Sequence, residues 1–249
     1  MTVATPTRTA ASAGPSPTGV RRLLAVCRLH VVAWPLLLAL PAAILAVTFA
    51  INLTIFALID AESETHGTGA VLSLYGFVVA FYAQAMTQSF PFALGLSVTR
   101  RQFFTSTVVV AVVQSAAFAA VLQLLSVIEA ATDGWGVRMR MFGVLRYATD
   151  SSVLQTVTLF ASLLLTTSIS MLLGAVYQRW RTPGFLIAGI GTIGALGIAA
   201  VVITWARWWP AVGSWFVDAP RTVVLAVVPL AASVAAIAAT WAVLRRATT

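Results

Sequence analysis

The chain has 249 residues, of which 60% are apolar and 9% charged, against about a quarter charged in an ordinary soluble domain. That balance excludes a soluble enzyme and a disordered chain, and a mean hydropathy of +0.96 suits a polypeptide whose solvent is mostly lipid. All fifteen basic residues are Arg, seven residues are acidic, and the formal charge is +8.

Residues 1 to 20, rich in Thr, Ala, Ser and Pro, read as a disordered cytoplasmic tail. Val20 to His30, with Arg21, Arg22, Leu23, Leu24, Val26, Arg28 and Leu29, offers a short interfacial elbow. Arg21 and Arg22 before an apolar run also spell the start of an export signal, but the run to Ile59 is far longer than a signal core. A single Cys27 allows neither an internal disulfide nor a cysteine zinc cluster.

Six stretches free of Asp, Glu and Arg then follow, at 29 to 59, 70 to 99, 102 to 128, 151 to 178, 182 to 206 and 222 to 244. At 1.5 Å per residue each is long enough to cross about 30 Å of hydrocarbon. They are apolar all round, unlike the alternating strands of a membrane barrel. The expected architecture is all-α, a six-helix transmembrane domain over residues 21 to 249.

Arginine placement sets the orientation. Arg8, Arg21, Arg22, Arg28, Arg100, Arg101, Arg179, Arg181, Arg245 and Arg246 fall on one side with no acid. All seven acids fall on the other, with Arg138, Arg140, Arg146, Arg207 and Arg221. The two sides carry +10 and −2, which recovers the net +8 and predicts both termini in the cytoplasm. The basic balance therefore belongs to topology, and no nucleic acid partner is expected.

The spans lack the ionisable groups that proton-coupled transporters and intramembrane enzymes use. His30 and His66 flank the first span on opposite sides, and neither H-E-x-x-H nor a buried aspartate pair occurs. No catalytic residue, bound cofactor or metal ligand is expected. Gly189-Ile190-Gly191-Thr192-Ile193-Gly194 spells a dinucleotide fingerprint, but it lies inside an apolar window and reads, with Gly197, as a helix-packing face. A chain without Lys cannot form a Walker A loop, so any ATP hydrolysis belongs to another polypeptide.

The connection after the second window reads Phe90-Pro91-Phe92-Ala93-Leu94-Gly95-Leu96-Ser97-Val98-Thr99-Arg100-Arg101-Gln102-Phe103-Phe104-Thr105. Pro91 can bend the helix, and Ser97 or Thr99 can cap a short new helix carrying the arginines and phenylalanines at the membrane surface. A positive-inside turn with interfacial aromatics is the plainer reading of the same residues. The run Ala93 to Phe104 resembles the "leucine-glycine, small-polar, R-R, x-F-F" segment after the second span of bacterial ABC-type permeases of the type-2 exporter class. Gly174-Ala175-Val176-Tyr177-Gln178-Arg179-Trp180-Arg181-Thr182-Pro183-Gly184 resembles the cytoplasmic turn between their fourth and fifth spans, and the chain closes on Leu244-Arg245-Arg246-Ala247.

The resemblance implies a permease in the bacterial inner membrane, two copies of which, or one with a close relative, pair with two cytoplasmic ATPase subunits that bind ATP and Mg. Leu94, Gly95, Leu96, Ser97, Val98, Thr99, Arg100, Arg101, Phe103 and Phe104 would form the principal coupling element, and Tyr177, Arg179 and Arg181 a second contact. A scaffold or regulator that transports nothing is the alternative.

A substrate path needs polar groups within spans. Gln84 and Gln88, Gln114 and Gln123, and Gln155 with Ser162 and Thr166 are the candidates, although such groups also bond between helices. Gln114 and Gln123, nine residues apart, turn to nearly opposite faces. On the outer side, Trp135, Val137, Met139 and Met141 alternate with Gly136, Arg138 and Arg140, as in a short strand or lid with its apolar side down. Trp208, Trp209, Trp215 and Phe216 read as an outer aromatic belt.

Overall fold

The computed structural model describes residues 38 to 59 and 66 to 246. The expected tail, the elbow, Cys27, His30 and the acids at 60 to 64 lie outside the described residues. The described chain is 88% helical, and its only strand pairing is two residues long, with His66 opposite Met139 and Gly67 opposite Arg140 in parallel.

Among the described residues, five helices are long and apolar enough to cross a membrane: α1 (Leu40–Leu58), α2 (Gly69–Gly95), α3 (Arg100–Ala131), α4 (Ser152–Trp205) and α6 (Val223–Leu244). A ten-residue helix, α5 (Trp209–Asp218), lies between the last two. It is too short to span and carries Trp209, Trp215 and Phe216 of the expected aromatic belt.

The fourth and fifth apolar windows fall within one helical run, where the sequence reading expected two helices joined by a turn. Straight, 54 residues would extend about 80 Å, more than twice the hydrocarbon thickness. The run is broken at Arg181, whose φ of 56° and ψ of −157° are not helical. Pro183 follows two residues later, in the first turn of the second arm, where its missing backbone N–H leaves no helical bond unmade. Two arms result, residues 152 to 180 and 182 to 205.

The first arm is the hub of the bundle, packing against α2, α3 and α6. All the buried residues of α4 lie on it, from Gln155 to Gln178, and many are small or hydroxylated. Thr158, Thr167, Ser168 and Ser170 each donate to the carbonyl four residues back, at 2.6 to 2.8 Å. Their hydroxyls are thus satisfied inside the helix, and the small surface that remains admits close neighbours. The second arm differs completely: every residue from Phe185 to Val202 is exposed.

Pro91 of α2 and Pro229 of α6 are accommodated by the same device. A π turn at Ala85–Ser89 precedes Pro91, with the Phe90 N–H bonded to the Ala85 carbonyl. Another at Val223–Val227 precedes Pro229, with the Val228 N–H bonded to the Val223 carbonyl. The wider turn shifts the register of carbonyls that the proline ring would otherwise meet, so the helix continues without an unpaired stretch. Pro91 therefore leaves α2 helical as far as Gly95.

Gly174 marks a close approach of α4 to α2. A Cβ there would stand 2.7 Å from the Met86 Cβ and 3.1 Å from the Ala83 carbonyl. Gly174→Val is expected to force α4 away from α2 and to cost about 1–3 kcal/mol, read as a lower melting temperature of the detergent-solubilised chain. An unchanged melt would contradict this contact.

Candidate functional site

The end of the bundle that the arginine count assigns to the inner side is shaped by two abutting caps. Helix α2 closes in a Schellman motif: the Val98 N–H reaches the Ala93 carbonyl at 3.1 Å and the Ser97 N–H reaches the Leu94 carbonyl at 3.0 Å. Ser97 takes the left-handed conformation, with φ of 63°, that this motif needs. One residue later Thr99 caps α3. Its Oγ1 accepts from the Gln102 N–H, and its own N–H donates to the Gln102 Oε1, both at 3.2 Å, a complete capping box. Residues 96 to 99 are thus a tight turn held at both ends, and the helix that Thr99 starts is α3 itself, where a separate short helix was expected.

This geometry divides the coupling residues in two. Phe103 is buried edge-on against Phe90 at 5.4 Å, and half-buried Phe104 meets Trp241 of α6 at 5.3 Å. Arg100 turns inward too, its Nη1 donating to the Leu244 and Arg245 carbonyls at 3.4 and 3.5 Å. It thereby caps the negative end of α6. Leu94 and Val98 are half-buried, while Gly95, Leu96, Ser97, Thr99 and Arg101 are exposed. Phe92, 70% exposed, and Leu96, 53% exposed, give the projecting tip an apolar character.

The second expected contact lies at the break in α4. Arg179 stands over the Trp180 ring at 4.4 Å, Tyr177 meets Phe185 across the break at 6.4 Å, and Arg181 is the broken residue.

The five glutamines separate by depth and partner. Gln114 accepts from the Tyr82 hydroxyl at 2.6 Å. Gln123 donates to Gln155 at 3.2 Å, and Gln155 donates to the Thr149 carbonyl at 2.7 Å. With Tyr75 and Ser162 at 2.7 Å, these bonds stitch α2, α3 and α4 together. Gln114 and Gln123 face different helices, as their spacing predicts. Gln84 and Gln88 instead bond to each other at 3.2 Å and are exposed, midway along α2 beside its π turn.

Glu129 is a structural residue that sequence reasoning missed. It is the first acid after the third apolar window, and the sequence reading gave it no role beyond its place among the acids of the outer side. It is 3% exposed, and its carboxylate accepts three backbone N–H bonds: Met141 and Phe142 to Oε2 at 2.8 and 2.9 Å, and Gly143 to Oε1 at 2.8 Å. Gly143 is required, because a Cβ there would lie 2.6 Å from Oε1. The outer segment folds down over this anchor, with Met139 and Met141 fully buried. Trp135 packs edge-on against Phe49 of α1 at 4.8 Å and against Phe142 at 6.3 Å. The lid reading thus holds for the apolar residues, though only Met139 and Arg140 form a strand.

Among the described residues no group of His, Cys, Asp and Glu is placed to hold a metal. Comparison with family models, with curated proteins and with solved structures yields no match.

Glu129→Gln would turn an amide NH2 toward N–H donors and leave at least one of them unpaired, at about 1–3 kcal/mol. The expected result is faster proteolysis within residues 133 to 147 and a lower melting temperature. Wild-type rates of cleavage would show that the carboxylate does not anchor the cap.

Proposed function

We propose that this chain is the membrane subunit of an ATP-driven exporter of the type-2 ABC class, working in the bacterial cytoplasmic membrane. The two arms of α4 count as separate spans in this reading, which gives six spans with both termini in the cytoplasm. The capped turn at residues 96 to 99 is the observation that carries it. A turn fixed at both ends transmits displacement to α2 and α3 together, whereas a slack loop would absorb it. Its exposed apolar tip, flanked by Arg101 and by residues 177 to 181 elsewhere on the basic side, suits a cleft on a cytoplasmic ATPase.

Two further observations support an assembly of more than one copy. The second arm of α4 is exposed throughout Phe185 to Val202. The exposed Gln84–Gln88 pair would leave amides in hydrocarbon unless a second permease or a polar path faced them. In this account two permeases, identical or closely related, enclose a path for a hydrophobic or amphipathic substrate, and two ATPase copies bind ATP and Mg beneath them. This chain supplies no catalytic group.

Leu96→Glu tests the docking tip without disturbing either cap, and it is preferable to changes at Arg100, which holds the end of α6. The full chain should co-purify with an ATPase subunit in mild detergent, and Leu96→Glu should reduce that capture at least tenfold while leaving membrane insertion intact. Failure to capture any ATPase under several conditions would favour a non-transporting scaffold. Capture that Leu96→Glu leaves unchanged would remove the turn from the interface.

A further inference from the structure

The inner ends of α3 and α6 gather four arginines into one patch. Arg100 and Arg101 open α3, Arg245 and Arg246 close α6, and the bonds from Arg100 to the Leu244 and Arg245 carbonyls hold the two ends together. Arg101, Arg245 and Arg246 are exposed. The acids among the described residues, Glu129, Asp133, Asp150 and Asp218, all belong to the outer ends and connections, so no carboxylate of those residues offsets the patch. Beside it opens a groove of about 340 Å³ lined by Arg101, Phe104, Thr105 and Trp241, with the Phe104 and Trp241 rings 5.3 Å apart.

A cationic mouth above an aromatic wall, at the point where two spans leave the hydrocarbon, is complementary to a molecule with an anionic head and an acyl tail. Guanidinium groups bind phosphate oxygens in pairs, and a ring-lined surface continuous with the spans receives a chain without breaking the bilayer. The mutual repulsion of four arginines at a low-dielectric boundary also calls for a bound anion. We propose that this groove holds an anionic glycerophospholipid of the adjoining leaflet, its phosphodiester on Arg101 with Arg245 and Arg246 around it, and its acyl chain along Phe104 and Trp241. The site needs only the membrane reading of α3 and α6. Of the coupling residues with exposed side chains it uses Arg101 alone, so it can fail while the ATPase assignment stands, and the reverse.

The test uses the full chain alone, purified in a mild nonionic detergent and supplied with either phosphatidylglycerol or phosphatidylcholine of identical acyl chains. Bound lipid is counted by native mass spectrometry. One phosphatidylglycerol per chain should be retained, at least tenfold more than phosphatidylcholine. An arginine near an anionic headgroup contributes about fivefold in binding, so Arg101→Gln should lower that retention by about this factor. Trp241→Ala should lower it while Arg207→Gln, at an exposed outer arginine, leaves it unchanged. Equal retention of the two lipids would overturn the proposal. So would wild-type retention in Arg101→Gln, and if that variant lost ATPase capture instead, the arginine would belong to the protein interface.

Discussion

Hydrocarbon offers no partner to a backbone amide, a hydroxyl or a charge, and the arrangement of this chain follows from that constraint. Pro91 and Pro229 are absorbed by π turns that keep the ladder closed. Hydroxyls of α4 bond back to their own helix, which frees a small, apolar-like surface for close packing. Tyr82 pairs with Gln114 and Gln123 with Gln155. The scarce charge collects at the ends, where the structure uses it: Arg100 caps α6 from within, and Glu129 pins the outer segment from without.

Both ends are fixed by hydrogen bonds, and by opposite means. At the inner end the backbone satisfies itself through a Schellman motif and a capping box, which leaves the side chains of the turn outward. At the outer end one buried carboxylate gathers three backbone donors, which draws the side chains inward to a core of Met139, Met141, Phe142 and Trp135. An outward-facing rigid turn suits engagement with another protein, and an inward-folded cap suits closure of the bundle. The second arm of α4 and the Gln84–Gln88 pair are exposed, and in the proposed function a second permease covers both.

The apolar windows were legible because the absence of charge over twenty or more residues is a strong local signal that tertiary context does not reverse. Thr99 as a cap was legible for the same reason, since a hydroxyl followed three residues later by Gln102 is a local pattern. The fate of Arg100 was not, because its acceptors lie at Leu244 and Arg245, on a helix about 145 residues away in sequence. Glu129 was hidden by the same distance effect on a smaller scale: its donors at residues 141 to 143 become neighbours only when the outer segment folds back. Among the glutamines, spacing separated Gln114 from Gln123 correctly. Only the packed helices separate the three paired across the bundle from the two left at its surface. The continuity of α4 through residue 180 was also unreadable, because Thr182-Pro183 marks a break without saying whether a loop or a single residue provides it.

The proposed function depends on which end of the bundle faces the cytoplasm, and the partition of arginine, +10 against −2, is what assigns the capped turn to that side in the proposal. Single cysteines introduced as Leu96→Cys and Asp150→Cys in a Cys27→Ser background report this directly when intact cells are treated with a membrane-impermeant maleimide. The account predicts labelling at position 150 in intact cells and at position 96 only after permeabilisation. The reverse pattern would place the capped turn outside the cell, away from any ATPase, and would contradict the account.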